Sequence, residues 1–312
     1  MRLLRAGDEP ALGRFLETRW ESSLLMLSDL AAAGLADAPA RDRSVFAAAF
    51  SGGAISAAAA HDRNGLLLLQ APAEAARLAA LVLAASKRPL AGLLGPAPQV
   101  AALRRDLDLS SRPGSTQKDL ALLTLDLDDL LLPEAFAGRA LRVRPARSSE
   151  LDILANWRVD FAEEVACARE DAALRAQARA DVEAWQAERR NLVLERHGRL
   201  VAACAVVARH EAAVQLGGVW TPPALRGHAF ARCMVAGALA RLHDGGVRRA
   251  VLFTSQPAAA RAYRTVGFRS LGTTYSQVRF ETPLQFSLPK PPKSAPSEAV
   301  RQAPLAKSRG AA

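Results

Sequence analysis

Val219-Trp220-Thr221-Pro222-Pro223-Ala224-Leu225-Arg226-Gly227-His228-Ala229-Phe230-Ala231 takes an apolar strand through a turn into a helix, with small residues at the turn. Such a junction suits phosphate. The first N–H groups of a helix have no intrahelical partners and the helix dipole adds partial positive charge there, so an anion can rest on them directly. Gly227, Ala229 and Ala231 allow a ligand close to the backbone, and Arg226 sets a forked cation at the mouth.

A second block follows: Leu252-Phe253-Thr254-Ser255-Gln256-Pro257-Ala258-Ala259-Ala260-Arg261-Ala262-Tyr263-Arg264-Thr265-Val266-Gly267-Phe268. It reads as strand, turn, helix, Tyr, then Gly-Phe. In this order the two blocks resemble the GNAT superfamily of N-acetyltransferases, whose coenzyme A loop has the pattern Gln/Arg-x-x-Gly-x-Gly/Ala. Arg226, Ala229 and Ala231 stand at its three defining places, with Ala229 where Gly is usual. A helical φ at that position would tolerate Ala.

The resemblance implies acetyl-CoA as cosubstrate, with its diphosphate on Arg226, Gly227, His228, Ala229, Phe230 and Ala231. It also implies a bulged strand end at Val219, Trp220 and Thr221 whose backbone N–H groups meet the pantetheine and the thioester carbonyl. Gly217-Gly218 suits that bulge. Gln256 takes the place of a family Asn. Tyr263 matches the family Tyr that faces the coenzyme sulfur, and a phenol with pKa ~10 can protonate a departing thiolate. For the base, Glu164 is the first candidate, on a helix whose face carries Trp157, Phe161 and Val165; Glu163 and Glu211 come after it. A buried carboxylate with raised pKa would draw off the amine proton through water.

The second half reads as strand 141–146, helices from Ser148 or Ser149 to about Arg190, strands 191–195 and 200–209 around His197-Gly198, and strand 214–221. Helix 229–243, strand 249–254, helix 258–266 and strand 275–280 complete it. The first half repeats this order: hairpin 45–60 around Gly52-Gly53, strand 66–70, helix 73–86, strand 90–94, helix 99–107, strand 120–127. The interval containing the phosphate loop is longer in the second half. In the first half Gln70-Ala71-Pro72-Ala73-Glu74 enters the helix without Arg or Gly, and Glu74 would repel a diphosphate.

The expected fold is therefore α/β (α+β): two tandem GNAT-like lobes, each a mixed, mostly antiparallel sheet flanked by helices. Residues 1–132 form the degenerate lobe and 140–284 the catalytic one, with a linker over 128–140. The degenerate lobe would pack, shape the acceptor cleft or form a homodimer.

Composition bounds the rest. The chain has 312 residues, half of them apolar, and a net charge of +10. From Pro289 onward five basic residues face one acid, Glu298, in a Pro-, Ser- and Ala-rich stretch that cannot bury an apolar face, so 286–312 is expected to be a disordered tail. The other excess charge is Arg scattered along Ala- and Leu-rich helices, without an aromatic-plus-basic stripe, which argues against specific nucleic-acid binding. Cys167, Cys204 and Cys233 have neither disulfide nor zinc spacing, the histidines lack metal spacing, and no metal is expected. No apolar run spans a bilayer, and the expected location is the cytoplasm. The function these readings imply is acetyl transfer to a primary amine, on a small molecule or peptide, by direct attack in a ternary complex. The alternative is a sensor that binds acyl-CoA without turnover.

Overall fold

A computed structural model describes residues 1–35, 43–110, 114–137, 140–166 and 170–285. The first half runs β1 (Arg2–Leu3), α1 (Glu9–Glu17), α2 (Trp20–Ala33), β2 (Val45–Ser51), β3 (Ala54–His61), β4 (Leu66–Gln70), α3 (Ala75–Ser86), β5 (Leu90–Pro96), α4 (Ala97–Asp106) and β6 (Ser115–Asp126). The second runs β7 (Leu141–Pro145), α5 (Leu151–Ala166), α6 (Ala172–Ala187), β8 (Asn191–Arg196), β9 (Arg199–His210), β10 (Ala213–Trp220), α7 (Phe230–Asp244), β11 (Arg249–Thr254), α8 (Pro257–Arg264) and β12 (Arg269–Leu284). Element for element the two halves have the same order. The repeat extends to β1, α1 and α2, which carry no motif and were not legible in the sequence.

The mixed α/β class and the two similar halves are as expected, but the strands form one 12-stranded sheet, in the order β1-β2-β3-β4-β5-β12-β6-β11-β10-β9-β8-β7. The halves exchange their last strands. β6, from the first half, lies antiparallel on β11, with Thr254 opposite Ala121 and Arg249 opposite Asp126. β12, from the end of the second half, lies antiparallel on β5, with Gln277 opposite Leu94. β6 and β12 then pair with each other at the centre of the sheet. The segment 1–132 thus supplies a strand to the second half's core, and 140–284 supplies one to the first half's.

Side-chain packing explains the exchange. Leu123 and Leu125 of β6 are buried with Met234 and Leu239 of α7, and Val278 and Phe280 of β12 are buried with Leu78 and Val82 of α3. Each half's apolar interior is closed by the other half's strand. Both faces of the central strands are apolar because both are covered by helices. Helices α1, α2, α5 and α6 cover one face, through contacts such as Leu24 with Leu122 and Leu154 with Ala203. Helices α3, α4, α7 and α8 cover the other. Polar ties cross between the halves as well: Tyr275 Oη donates to the Ser22 carbonyl at 3.0 Å, and the Arg209 N–H donates to Ser28 Oγ at 3.2 Å.

The entry into α5 differs from the expected serine cap. A 3-10 turn over Ser148–Glu150 leads into it, and the Glu150 carboxylate accepts from the Arg147 N–H at 2.8 Å. The same carboxylate takes both Nη atoms of Arg144, at 2.9 and 2.7 Å, while Glu195 holds Arg144 from β8. Hydrogen bonding to Arg144 lowers the Glu150 pKa, so the ion pairs clamp β7, β8 and the start of α5 together. The linker region holds 3-10 turns at Leu127–Asp129 and Glu134–Phe136. The expected tail, 286–312, lies outside the described residues. Among the described residues no helix is long and apolar enough to cross a membrane.

Because each core is completed by a strand from the other half, the full chain should unfold in one cooperative transition. A chain ending at Gly267 lacks β12 and uncovers β5 and β6 together, so it should give no cooperative transition in scanning calorimetry. Two independent transitions in the full chain would contradict the shared sheet.

Candidate functional site

β10 and β11 are parallel and paired only as far as Leu216 opposite Leu252. Beyond that point β10 leaves its neighbour. Its register with β9 shifts between Gln215 and Leu216 and again between Gly217 and Trp220. This is the expected bulge. Gly217 permits it by contact, since a Cβ there would sit 2.8 Å from Val207 Cγ1, and Gly218 permits it by conformation, at φ +58°. Val219 falls between the shifted pairs without a ladder partner on β9 and packs against the α7 core.

The strand ends in two buried residues with unspent polar atoms. Trp220 Nε1 and Thr221 Oγ1 are enclosed and have no hydrogen-bond partner. A buried donor left unpaired costs about 1–3 kcal/mol, so a ligand oxygen would be welcome at this strand end. Trp220 is held by Phe161 of α5, edge to face with ring centroids 6.4 Å apart.

Pro222 and a 3-10 turn over Pro223–Leu225 lead to Arg226. Gly227 then takes φ +82° and Ala229 takes φ +60°, both left-handed, before α7 starts at Phe230. Ala229 was expected to have a helical φ; its left-handed backbone is a correction, and it is a conformation that favours Gly over Ala. Alternation of hand turns successive amides to one side, which is the geometry of an anion nest. Among the described residues the N–H groups of Gly227, His228, Ala229, Phe230, Ala231 and Arg232 have no acceptor; the first bond of the helix is Cys233 N–H to the Ala229 carbonyl at 3.0 Å. Ala231 is half-buried and adds no bulk beyond a methyl group.

The side chains of the loop are arranged tightly. Arg226 Nε donates to the Thr221 carbonyl at 3.1 Å, its Nη2 donates to Glu164 Oε2 at 2.8 Å, and its guanidinium lies 4.8 Å from the centre of the Trp220 ring. His228 Nδ1 meets the Arg226 carbonyl at 2.9 Å, and its exposed ring stacks on Phe230, which is anchored in the core. Arg226 and Glu164, distant in sequence, therefore meet. Glu164 is not the buried carboxylate expected, however: its side chain is 45% exposed. Glu163 and Glu211 are exposed too.

Tyr263 is a core residue at 5% exposure, tilted against Phe268 with ring centroids 6.3 Å apart. Burial first, and then Cys204 nearby, push its pKa up, so the phenol keeps its proton. Gln256 is exposed and caps α8: its carbonyl receives the Ala260 N–H at 3.0 Å and its own N–H meets Thr254 Oγ1 at 3.1 Å. At the opposite end of the strands, Glu17, His210 and Glu211 bring one potential metal-ligand atom each to within 4.8 Å of one another, although no spacing in the sequence connects α1 with the β9–β10 turn.

The corresponding turn of the first half has the same backbone and a different content. Glu74, which precedes α3, takes φ +63°, ψ +16°, against φ +60°, ψ +16° for Ala229. Protein groups tie down the strand end: Gln99 Oε1 accepts from the Ala71 N–H at 2.7 Å, and the Gln70 amide donates to Ser22. With the Glu74 carboxylate at the helix entrance, this turn is closed to a diphosphate.

The family comparison covers the stretch that holds this splayed strand pair and its helix entrance. The model of the acetyltransferase (GNAT) family matches residues 153–268. Residues 153–268 are thus similar to that family. The GNAT-like fold reaches much further along the chain. An X-ray structure of a Drosophila protein is similar at a TM-score of 0.58 with 12% identity, covering 90% of this chain and 99% of that one. A GCN5-related N-acetyltransferase from Sphaerobacter thermophilus is similar at 0.51 with 17% identity, covering 91% and 96%. No curated protein sequence matches the chain.

The left-handed Ala229 gives a direct test of this turn. Ala229→Gly should stabilise the protein by about 1 kcal/mol, the cost of a Cβ at this φ less the extra freedom of Gly in the unfolded chain. Urea unfolding would measure it. A destabilised variant would show that the turn has a different conformation.

Proposed function

We propose that the GNAT domain is an acetyl-CoA-dependent N-acyltransferase acting on a primary amine. The observation that carries this reading is the run of unpaired amides from Gly227 to Arg232 behind the bulged end of β10. The diphosphate would lie on those amides, with Arg226 turning toward it from Glu164. The pantetheine would follow the gap where β10 and β11 part, and the thioester carbonyl would lie beside Val219, Trp220 and Thr221.

The chemistry asks for positioning more than for reactive groups. The amine nitrogen attacks the thioester carbonyl carbon, the C–S bond breaks, the amine gives up a proton and the thiolate gains one. Tyr263 is the proton donor to the sulfur in this reading. Burial keeps the phenol protonated, so its hydroxyl is there to hydrogen-bond the sulfur as the thiolate develops. Glu164 is the group we assign to the amine: once the diphosphate takes Arg226, the Glu164 carboxylate is free to receive the ammonium and its proton.

Titration calorimetry with acetyl-CoA tests the reading, and an absence of heat would overturn it. Arg226→Glu should weaken binding roughly 100-fold, since a favourable charge-assisted contact becomes a repulsive one. Tyr263→Phe should lower kcat by about 100-fold with little change in coenzyme affinity, measured as thiol release. Coenzyme binding without thiol release for any amine would favour the non-catalytic sensor.

A further inference from the structure

The β8–β9 hairpin stands beside the entrance of α7. Its turn is His197-Gly198, and Arg196 and Arg199 face each other directly across it. Directly opposed residues of an antiparallel pair share one face of the sheet. Here it is the α7 face, since Leu194 and Val201, two positions further in, are buried in one core with Phe230. Arg196 reaches the helix itself: its guanidinium carbon lies 5.7 Å from the centre of the Phe230 ring, on which the exposed His228 ring also stacks, with centroids 5.5 Å apart. Phe230 opens α7, and its N–H is one of the free amides of the loop. One side chain thus joins the hairpin to the proposed diphosphate site.

Positive charge gathers here without a counter-charge. Like charges directly opposite each other destabilise a strand pair, and among the described residues neither Arg196 nor Arg199 has a side-chain hydrogen bond or ion pair. The adjacent acid, Glu195, is committed elsewhere: its Oε2 accepts from Arg144 Nε and Nη2 at 2.9 and 2.7 Å. Helix α7 has no acid in its first turn and carries Arg232 there, where the helix dipole favours an acid; Arg232 Nε is enclosed without a partner among the described residues. The first half lacks this arrangement. Its corresponding hairpin turns at Gly52-Gly53, and Ser51 faces Ala54 where Arg196 faces Arg199. The arginine pair therefore occurs in the half whose helix entrance has free amides, and not in the half whose entrance is closed. Cations set against a helix N-terminus and against each other gain from an anion beyond the one the amides would hold. Guanidinium forks match phosphate oxygens, and a phosphate monoester carries nearly two charges at neutral pH.

We propose that Arg196 and Arg199 bind the 3′-phosphate of coenzyme A, the monoester on the same ribose whose 5′ carbon carries the diphosphate, so that the protein selects the 3′-phosphorylated coenzyme over its dephosphorylated form. This inference rests on the coenzyme site proposed above. What it adds is a second anion subsite, built from a hairpin outside the loop and its motif.

The experiment is titration calorimetry on the full chain with acetyl-CoA and with acetyl-3′-dephospho-CoA, at low ionic strength, where exposed charges are least screened. Wild type is compared with Arg196→Gln, Arg199→Gln, the double variant, and Arg14→Gln, which removes the same charge from α1 on the other face of the sheet. Wild type should bind acetyl-CoA roughly 10- to 100-fold more tightly than the dephosphorylated form. The double variant should bind the two alike, at about the wild-type affinity for the dephosphorylated form, and Arg14→Gln should keep the full preference. Unchanged melting temperatures would show that the variants fold. Equal affinity of wild type for the two ligands, or a preference that survives in the double variant, would overturn the subsite and leave the coenzyme site standing; no heat with either ligand would overturn both. Thiol release is measured separately: a preference lost in the double variant, together with no turnover in the wild type, would uphold the phosphate subsite and defeat the acyltransferase reading.

Discussion

The antiparallel ladder between β6 and β12 holds the molecule together. These strands are the last of their halves, and each has crossed to close the opposite core: Leu123 and Leu125 lie under α7, Val278 and Phe280 under α3. A junction of this kind is unlike the polar, modest interface that usually joins domains in one chain, where relative motion is the default. Sliding one half against the other would break backbone hydrogen bonds and open both apolar interiors together. The end of β10 and the free amides before α7 thus belong to the same frame as the exchanged strands.

Comparison of the two halves separates backbone from chemistry. Glu74 and Ala229 share nearly the same left-handed backbone before their helices, so the path from strand to helix is retained in both. What differs is what the strand end meets. In the first half Gln99 reaches over to the Ala71 N–H, and Gln70 is tied to Ser22. In the second half no side chain does so, and the strand end carries the unpaired Trp220 Nε1 and Thr221 Oγ1 besides. The first half's strand end is tied to protein groups and the second half's is not, although their frameworks coincide.

Much of this was legible in the residues. Both hairpins announced themselves through Gly52-Gly53 and His197-Gly198 between apolar runs, and the bulge was legible in Gly217-Gly218 because only small residues allow so close an approach to Val207. The exchange was not legible. Strands β6 and β12 follow their helices as they would in an unexchanged fold, and sequence order makes the neighbouring partner the default assumption. Helices α1 and α2 escaped notice because they carry no motif. The left hand of Ala229 is not legible in the sequence, since a motif position gives residue identity and not φ. Glu164 was placed near the site but expected to be buried, because amphipathic spacing locates a face of α5 and does not say how far along the helix the neighbouring elements extend.

The crossing of the strands also orders events in time. As the chain leaves the ribosome, β1 to β5 emerge early, yet the strand that completes them spans Arg269–Leu284, behind every other described element. Multidomain chains commonly finish their leading domain before the trailing one is made. Here the leading portion must wait, holding an unclosed edge at β5, until β12 has been made; the exposed interval is therefore a property of the topology, and nascent-chain quality control would meet the two halves as one unfinished unit.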